Sequence, residues 1–453
     1  VDPPALEHEI QRVGVELAGA FPSRRGHPIK LLDERAMDLA SQDAELRAAL
    51  FRFVDVVPAC RSLDDLASHL AGFLEEVHEQ PPSLHAAMRM GNTRAGRAAL
   101  GAAGAAGVRH MAHRFIVGAD PADALPTLRA LWRQGIATSV DLLGEATVTA
   151  AEADRYAARC AAALDTLAPA YEAMKPNERL EHDALGRLPR ANLSVKVSAL
   201  TPLLRPEAPE RGKRDAAPRL RELLRRADRL GAHLHIDMES LDSREAVLEL
   251  VLELLSEPEF AAGPSAGIVL QAYLRDSPET LDRVLGWAHA TPREQPLVVR
   301  LVKGAYWDHE VVEARQHGWS VPVFERKADC DANFEALTRR LLRARPATAS
   351  TGSLRVAIAS HNLRSLSHAV ACNRLLGGGD GDLELQVLRG LGDDLGAALA
   401  ASGLRVRSYC PVGDLVAGMA YLVRRLLENT ANEGFLHDRA AGVPLERLLA
   451  PPA

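Results

Sequence analysis

Lysine is nearly missing from this chain: there are six in 453 residues, against 48 arginines. That bias reflects a GC-rich genome rather than a function, and it makes every lysine worth locating. Cysteine is scarce as well. The five stand at 60, 160, 330, 372 and 410, an odd count with no CxxC or Cys/His ligand spacing. A reduced, cytosolic protein is the simplest reading. No apolar run reaches the ~18 residues that a bilayer span needs. The opening stretch VDPPALEHEI is acidic and lacks the apolar core of a signal peptide. A net charge of −6 offers no basic patch for nucleic acid. Metal-site spacing is absent: His233 and His235 alternate on a candidate strand without a third ligand at useful spacing. Neither a nucleophile elbow nor a Ser/His/Asp order stands out. GAAGAAGV, at 101–108, has the glycines of a phosphate loop, but no strand precedes it and no Lys-Ser/Thr follows. It reads as a small-residue helix contact or a linker.

What is present is an ordinary globular composition, and the length suits two or three domains or one barrel with additions. Residues 1–110 read as an N-terminal helical arm. From about residue 111 to 440, short apolar runs alternate with longer amphipathic stretches; 441–453 is a C-terminal tail. Eight candidate strands lie at 113–119, 136–143, 192–200, 233–239, 266–274, 296–304, 354–360 and 383–389. Strand-helix alternation predicts a parallel sheet, and eight units predict a closed (β/α)8 barrel of the α/β class. A doubly wound open sheet is the runner-up. The connections at 201–217 and 306–327 are long and follow strands, on the face where barrel enzymes carry their sites. GGGDGD, at 377–382, precedes a strand and belongs to the opposite face.

The last helix, roughly 414–431, organises the rest. It has an apolar stripe at Leu415, Met419, Leu422, Val423, Leu426 and Leu427. Tyr421, Arg424, Arg425 and Glu428 share its other face. Two adjacent guanidiniums beside a phenol suit a small carboxylate. A solvated face with an Arg424–Glu428 pair is the plainer alternative. RVRSYCPVG separates this helix from the eighth candidate strand, so the helix is free to lie across the barrel mouth.

Buried strands should be nearly all apolar. Several of these are not. Lys196 sits in the third candidate strand, Asp237 in the fourth, Gln271 in the fifth, and Arg300 with Lys303 in the sixth. Unpaired buried charge costs several kcal/mol, so these groups either plug the barrel as ion pairs, Lys196 with Asp237 among them, or face a site. Their place in the C-terminal halves of the strands favours a site. His361, directly after the seventh candidate strand, is well placed for a ligand.

In order, SVKVSAL, HIDME, VLQAYL, VRLVKGAYW, IASHN, QVLRGLGDD, SYCPVG and YLVRRLLEN resemble the proline dehydrogenase family. VRLVKGAYWDHE, WSVPVFERKADCDANFEA and RRLLENTANEGF are most like the proline dehydrogenase half of bacterial bifunctional proline-utilisation flavoproteins. FRFVDVVPAC resembles the arm that precedes the barrel there, and the aldehyde dehydrogenase half is absent. The resemblance implies a distorted β/α barrel holding FAD, with the final helix over the barrel mouth. It implies that Arg424 and Arg425 bind the substrate carboxylate, and that Lys196 and Asp237 line the pocket. Tyr306, Tyr409 and Tyr421 would wall the pocket, and Leu388 would pack on the proline ring. Flavin contacts carry over to Met238, Gln271, Arg300, Val302, Lys303, Gly304, Ala305, Trp307, Ser360 and His361. Glu145 matches a glutamate that holds Arg424. Arg389, Leu391 and Cys410 depart from residues that relatives often carry as His, Met and Ala.

The activity so implied is oxidation of L-proline to Δ1-pyrroline-5-carboxylate by hydride transfer to flavin N5. Lys196, Asp237 and Arg300 would act at the reacting centre, and electrons would pass to a quinone, with peripheral membrane contact. A fused or separate aldehyde dehydrogenase is an expected partner; nucleic acid is not. Two alternatives stay open at this point. One is a Schiff-base aldolase using Lys196 or Lys303; the other is a binding protein on a barrel scaffold.

Overall fold

The structure is a computed structural model that describes residues 2–22, 44–78, 93–144, 147–291, 293–346, 354–414, 418 and 442–452. Eight parallel strands close into a barrel. They are β1 (Ile136–Leu142), β2 (Asn192–Val195), β3 (His233–Ile236), β4 (Ser265–Gln271), β5 (Leu297–Val302), β6 (Leu354–Ala359), β7 (Glu384–Leu388) and β8 (Arg405–Val412). Each pairs with its neighbour in sequence, and β1 pairs with both β2 and β8 to close the cylinder. The barrel expectation holds, and the open sheet is excluded.

One expected strand does not form. Residues 113–119 are not a strand. The helix Arg94–Phe115 runs into them, and Phe115 and Ile116 are buried in the core of the arm. The rest of the stretch makes two backbone bonds at the top of β8: Val117 N donates to the Pro411 carbonyl at 2.9 Å, and Gly413 N to that of Gly118 at 3.0 Å. The eighth place belongs to Arg405–Val412. Its charges made it look like a connection, but side chains alternate along a strand. Arg405, Arg407 and Tyr409 share the interior face, while Val406, Cys410 and Val412 are buried on the other. Lys196 and Asp237 therefore follow the second and third barrel strands, not the third and fourth.

Helices cover the outside. The amphipathic stretches become α6 (Ala150–Glu172), α7 (Pro209–Arg229), α8 (Leu241–Leu255), α9 (Ser277–Ala290), α10 (Trp307–His317), α11 (Lys327–Ala344), α12 (Leu363–Leu375) and α13 (Asp393–Ala401). Much of the two long connections is helical, since α7 begins within the first and α10 fills half of the second.

The arm precedes these as α1 (Pro3–Gly19), α2 (Ala44–Val56), α3 (Leu63–Glu75) and α4 (Arg94–Phe115), and α5 (Pro121–Arg133) leads from it into β1 and packs in the barrel's core. Leu6, Ile10, Val13 and Leu17 form the buried stripe of α1, which packs across α12. Such side chains contribute roughly 1.5–3 kcal/mol each when fully buried. Arg364 ties this junction together. It bonds Glu7 at 2.8 and 2.9 Å, Glu335 at 2.8 Å and the Leu449 carbonyl at 2.6 Å. The small-residue reading of 101–108 is borne out. A β-carbon at Gly101 would strike the Leu63 carbonyl, and one at Gly104 would lie 2.9 Å from the Phe53 ring. Close approach of α4 to its neighbours needs glycine there.

Of the stretch 414–431, only Asp414 and Gly418 are described; Gly418 N donates to the Asp414 carbonyl at 2.9 Å. The predicted helix otherwise lies outside the described residues, as do Glu145, Tyr421, Arg424 and Arg425. Among the described residues, no helix is long and apolar enough to cross a membrane.

Candidate active site

The polar residues that interrupt the strands sort by strand end. Asp141 is next to last in β1. Lys196 and Asp237 directly follow β2 and β3. Gln271 ends β4 and Leu388 ends β7. With Arg300 and Tyr409 they open into one cavity of about 310 Å³ at the C-terminal end of the barrel. That is the size and place of a typical small-molecule site.

Four charges interlock in it. The Lys196 ammonium donates to Asp141 at 2.5 Å and lies 3.4 Å from Asp237. Arg300 donates to the other Asp237 oxygen at 2.8 Å, where the Ser194 hydroxyl also donates at 3.0 Å. The Tyr409 hydroxyl donates to Asp237 at 2.6 Å, and the Arg300 guanidinium lies 5.3 Å from the Tyr409 ring centre. Burial alone would raise the Asp237 pKa, but Lys196 and Arg300 outweigh it and hold the carboxyl below its usual range. Tyr409 is driven well above its ordinary value, first by burial and then by Asp141 and Asp237. It therefore stays a phenol and a donor. Two carboxylates and two cations make these four charges neutral among themselves; they are ion-paired, as the pair reading expects, and all four line the cavity.

The rest of the wall comes from loops after the strands. Gly304 has φ of 136°, a conformation that favours glycine, and the Tyr273 ring packs on its backbone where a β-carbon would otherwise stand. This shapes the run Val302, Lys303, Gly304, Ala305, Tyr306, all of which line the cavity. Lys303 is ion-paired with Asp331, which also takes Lys327 at 2.6 Å. Burial would raise the Asp331 pKa, but Lys303 and then Lys327 lower it. His361 Nε2 accepts from Leu388 N at 2.9 Å, which assigns the proton of the neutral ring to Nδ1. Met238 and Ser360 also line the cavity.

Trp307 stands apart. It begins α10, is 39% exposed, and donates to the Phe324 carbonyl at 2.9 Å, outside the cavity lining. Reading the sequence missed Asp141, Glu239, Val269, Ala359, Gln386 and Val387, which also line the cavity. Asp141 carried the same signal as the others, a lone carboxylate in the apolar run IATSVDLL.

Two buried polar atoms in this wall have no partner among the described residues: Arg300 Nε, a donor, and Gln271 Oε1, an acceptor. Gln271 Nε2 is used, donating to the Glu239 carbonyl at 2.8 Å. Unsatisfied buried polar atoms are costly, so these mark where a bound group would be held.

Comparison with known proteins agrees with this geometry. The family model described as Proline dehydrogenase matches residues 124–438, and that described as Proline utilization A N-terminal domain matches 7–115. Bifunctional protein PutA of Salmonella typhimurium is 34% identical over 356 residues, covering 76% of this chain and 25% of the relative. The proline dehydrogenase of Deinococcus radiodurans is 29% identical over 327 residues, 72% of this chain and 89% of the relative. Among solved structures, proline utilization A (PutA) from Bdellovibrio bacteriovorus, inactivated by N-propargylglycine, aligns with a TM-score of 0.88. It is 34% identical and covers 99% of this chain and 44% of that one. The chain thus spans about a quarter of the length of the bifunctional relatives it matches.

Proposed function

Because the chain belongs to the proline dehydrogenase family, we propose that it oxidises L-proline to Δ1-pyrroline-5-carboxylate with FAD, the first step of proline catabolism. The observation that carries this reading is the cavity wall itself, with an orphaned donor on Arg300 and an orphaned acceptor on Gln271. An isoalloxazine ring carries ring-nitrogen and carbonyl acceptors and an N–H donor, so its chemistry complements both. Met238, Gln271, Arg300, Val302, Lys303, Gly304, Ala305, Ser360 and His361 would hold it. When bound, FAD would supply a two-electron acceptor for the hydride leaving the ring carbon next to the proline nitrogen, with a quinone as the final electron acceptor.

The protein's part is binding, orientation and charge. Arg424 and Arg425 fix the carboxylate, as the resemblance implies, and so hold the ring carbon in place. Leu388 and Tyr306, Tyr409 and Tyr421 exclude water from the ring. Arg300 supplies positive charge at the cavity. Lys196, Asp141 and Asp237 set the charge around the amine, which must lose its proton before hydride leaves. An aldehyde dehydrogenase, fused or separate, would consume the product once its ring opens, and a quinone acceptor implies contact with a membrane surface.

The aldolase reading is weakened by the ion pairs. Lys196 is bound to Asp141 and Asp237, and Lys303 to Asp331. A Schiff base requires a neutral amine. The test is the visible spectrum of the pure protein supplied with FAD. Anaerobic proline should bleach a flavin band near ~450 nm. A protein that takes up no flavin, or whose flavin is untouched by proline, would refute the assignment.

A further inference from the structure

The other end of the barrel holds a second, smaller cavity, of about 20 Å³. It is lined by residues early in the strands, among them His233, Arg355, Glu384, Arg405 and Arg407. Arg355, Arg405 and Arg407 are 3%, 2% and 4% exposed. Two carboxylates face them. Arg407 grips Glu384 at 2.8 and 2.9 Å. Arg355 grips Asp183 at 2.8 and 3.1 Å, and Arg405 reaches the same Asp183 at 3.2 Å. Asp183 comes from a two-residue hairpin, His182–Asp183 with Gly186–Arg187, between β1 and β2. Glu181, beside that hairpin, is taken by Arg190 at 2.8 Å.

Among the described residues three guanidiniums therefore meet two carboxylates, and one positive charge is unmatched. The two histidines here do not alter the sum. Burial, and then Arg407, pushes His233 down to about 3, and burial and then Arg300 push His235 well below its usual value, so both are neutral. A buried charge without a counter-charge costs several kcal/mol, and arginine does not escape by losing its proton. Two cationic donors of the cluster, Arg355 Nη1 and Arg405 Nε, also have no partner among the described residues. A cavity of this size holds one water-sized sphere. That excludes phosphate, sulfate or a carboxylate. A water would satisfy donors but not the charge.

We propose that this floor of the barrel binds one monoatomic halide, chloride under ordinary conditions, between Arg355, Arg405 and Arg407. The site is separate from the proline and flavin cavity and does not depend on the activity assigned there.

Thermal unfolding of the full chain tests it at pH 7.5 and fixed ionic strength, in sodium gluconate, chloride and bromide. Chloride and bromide should each raise Tm in a saturable way, by about 3 °C at a hundred times the dissociation constant. Gluconate, too large for the cavity, should not. Crystals grown in bromide should show an anomalous peak inside the cavity. Arg405→Met leaves two cations facing two carboxylates, so its halide response should vanish. A halide-independent Tm, a cavity holding only water in bromide crystals, or an undiminished response in Arg405→Met would each overturn the proposal. Should that variant fail to fold, the bromide crystal of the unaltered protein decides alone.

Discussion

Asp141→Asn removes one carboxylate from a buried group of four charges, and its effect can be worked from charge balance. Asp141 is 1% exposed and takes the Lys196 ammonium at 2.5 Å. Asparagine keeps the volume but leaves the quartet with a net positive charge. Breaking one partner of a buried pair costs about 3–5 kcal/mol. Lys196 keeps Asp237 at 3.4 Å, so the low end applies. Unfolding entropy for a chain this long makes 1 kcal/mol worth ~1 °C, giving a fall in Tm of about 3 °C. Lys196→Met leaves a net negative charge and should cost a similar amount. Asp141→Asn with Lys196→Met restores neutrality and should lose less than either change alone. Calorimetry on all four proteins at one pH and ionic strength measures this. Losses that simply add, to within ~0.5 kcal/mol, would refute the claim that the quartet is held by mutual compensation. Kinetics give a second readout: the carboxylate lost in Asp141→Asn should raise the proline KM by about tenfold, the equivalent of ~1.4 kcal/mol.

Arg425→Met should raise the proline KM strongly while flavin stays bound; an unchanged KM would remove the carboxylate clamp from the mechanism. Gly304→Ala drives a methyl into the Tyr273 ring at φ 136°, and fluorescence titration should show FAD affinity falling at least ~10-fold, the cost of displacing a wall by ~1.4 kcal/mol. Gly286→Ala is its control. That glycine is in α9 with nothing within 4 Å of the added carbon, so stability should rise by ~0.5–1 kcal/mol. Stability should also fall on mild acidification. His233 and His368 are held at about 3 by burial, helped by Arg407 and Arg339 respectively, and His235 lies well below 6.5 for the same first reason. The unfolded chain binds protons at these positions from pH 6.5 downward while the folded chain does not, so stability falls by ~1.4 kcal/mol per pH unit for each. Glu310 and Glu335, raised mainly by burial, act in the opposite sense. Tm should still drop at least about 3 °C between pH 7 and pH 5; a flat profile would contradict neutral buried histidines.

Much of this was legible beforehand because charge in an apolar strand is expensive wherever it lies. Lys196, Asp237, Gln271 and Arg300 stood out for that reason, and all four reach one cavity. The same rule failed at β8. Arg405 and Arg407 made the strand look like a connection, because a strand whose interior side chains meet carboxylates from elsewhere does not look buried. One of those carboxylates, Asp183, lies 222 residues from Arg405 in sequence, and no local pattern announces it. The opposite error occurred at 113–119. An apolar run of seven fits a strand or the end of a helix equally well, and burial of Phe115 against the arm decided it.

The two ends of the cylinder follow from one constraint. An eight-stranded barrel has an interior that side chains must fill, and alternate residues of each strand form files running from floor to mouth. On β3 the file is His233, His235, Asp237; on β8 it is Arg405, Arg407, Tyr409; on β7 it is Glu384, Gln386, Leu388. At the floor most of these side chains bond to one another, the unpartnered arginine nitrogens apart: Gln386 donates to Glu384 at 2.6 Å, and the His233 and His235 rings meet at 3.1 Å. A floor locked in this way fixes the strands from beneath. The last residue of each file can then stay open to the cavity without collapsing into the barrel. Polar residues in barrel strands therefore divide by height rather than by type. The same Arg–carboxylate chemistry found at the lower end holds Asp237 as an anion at the upper one, where it lines the open cavity beside Arg300 and Tyr409.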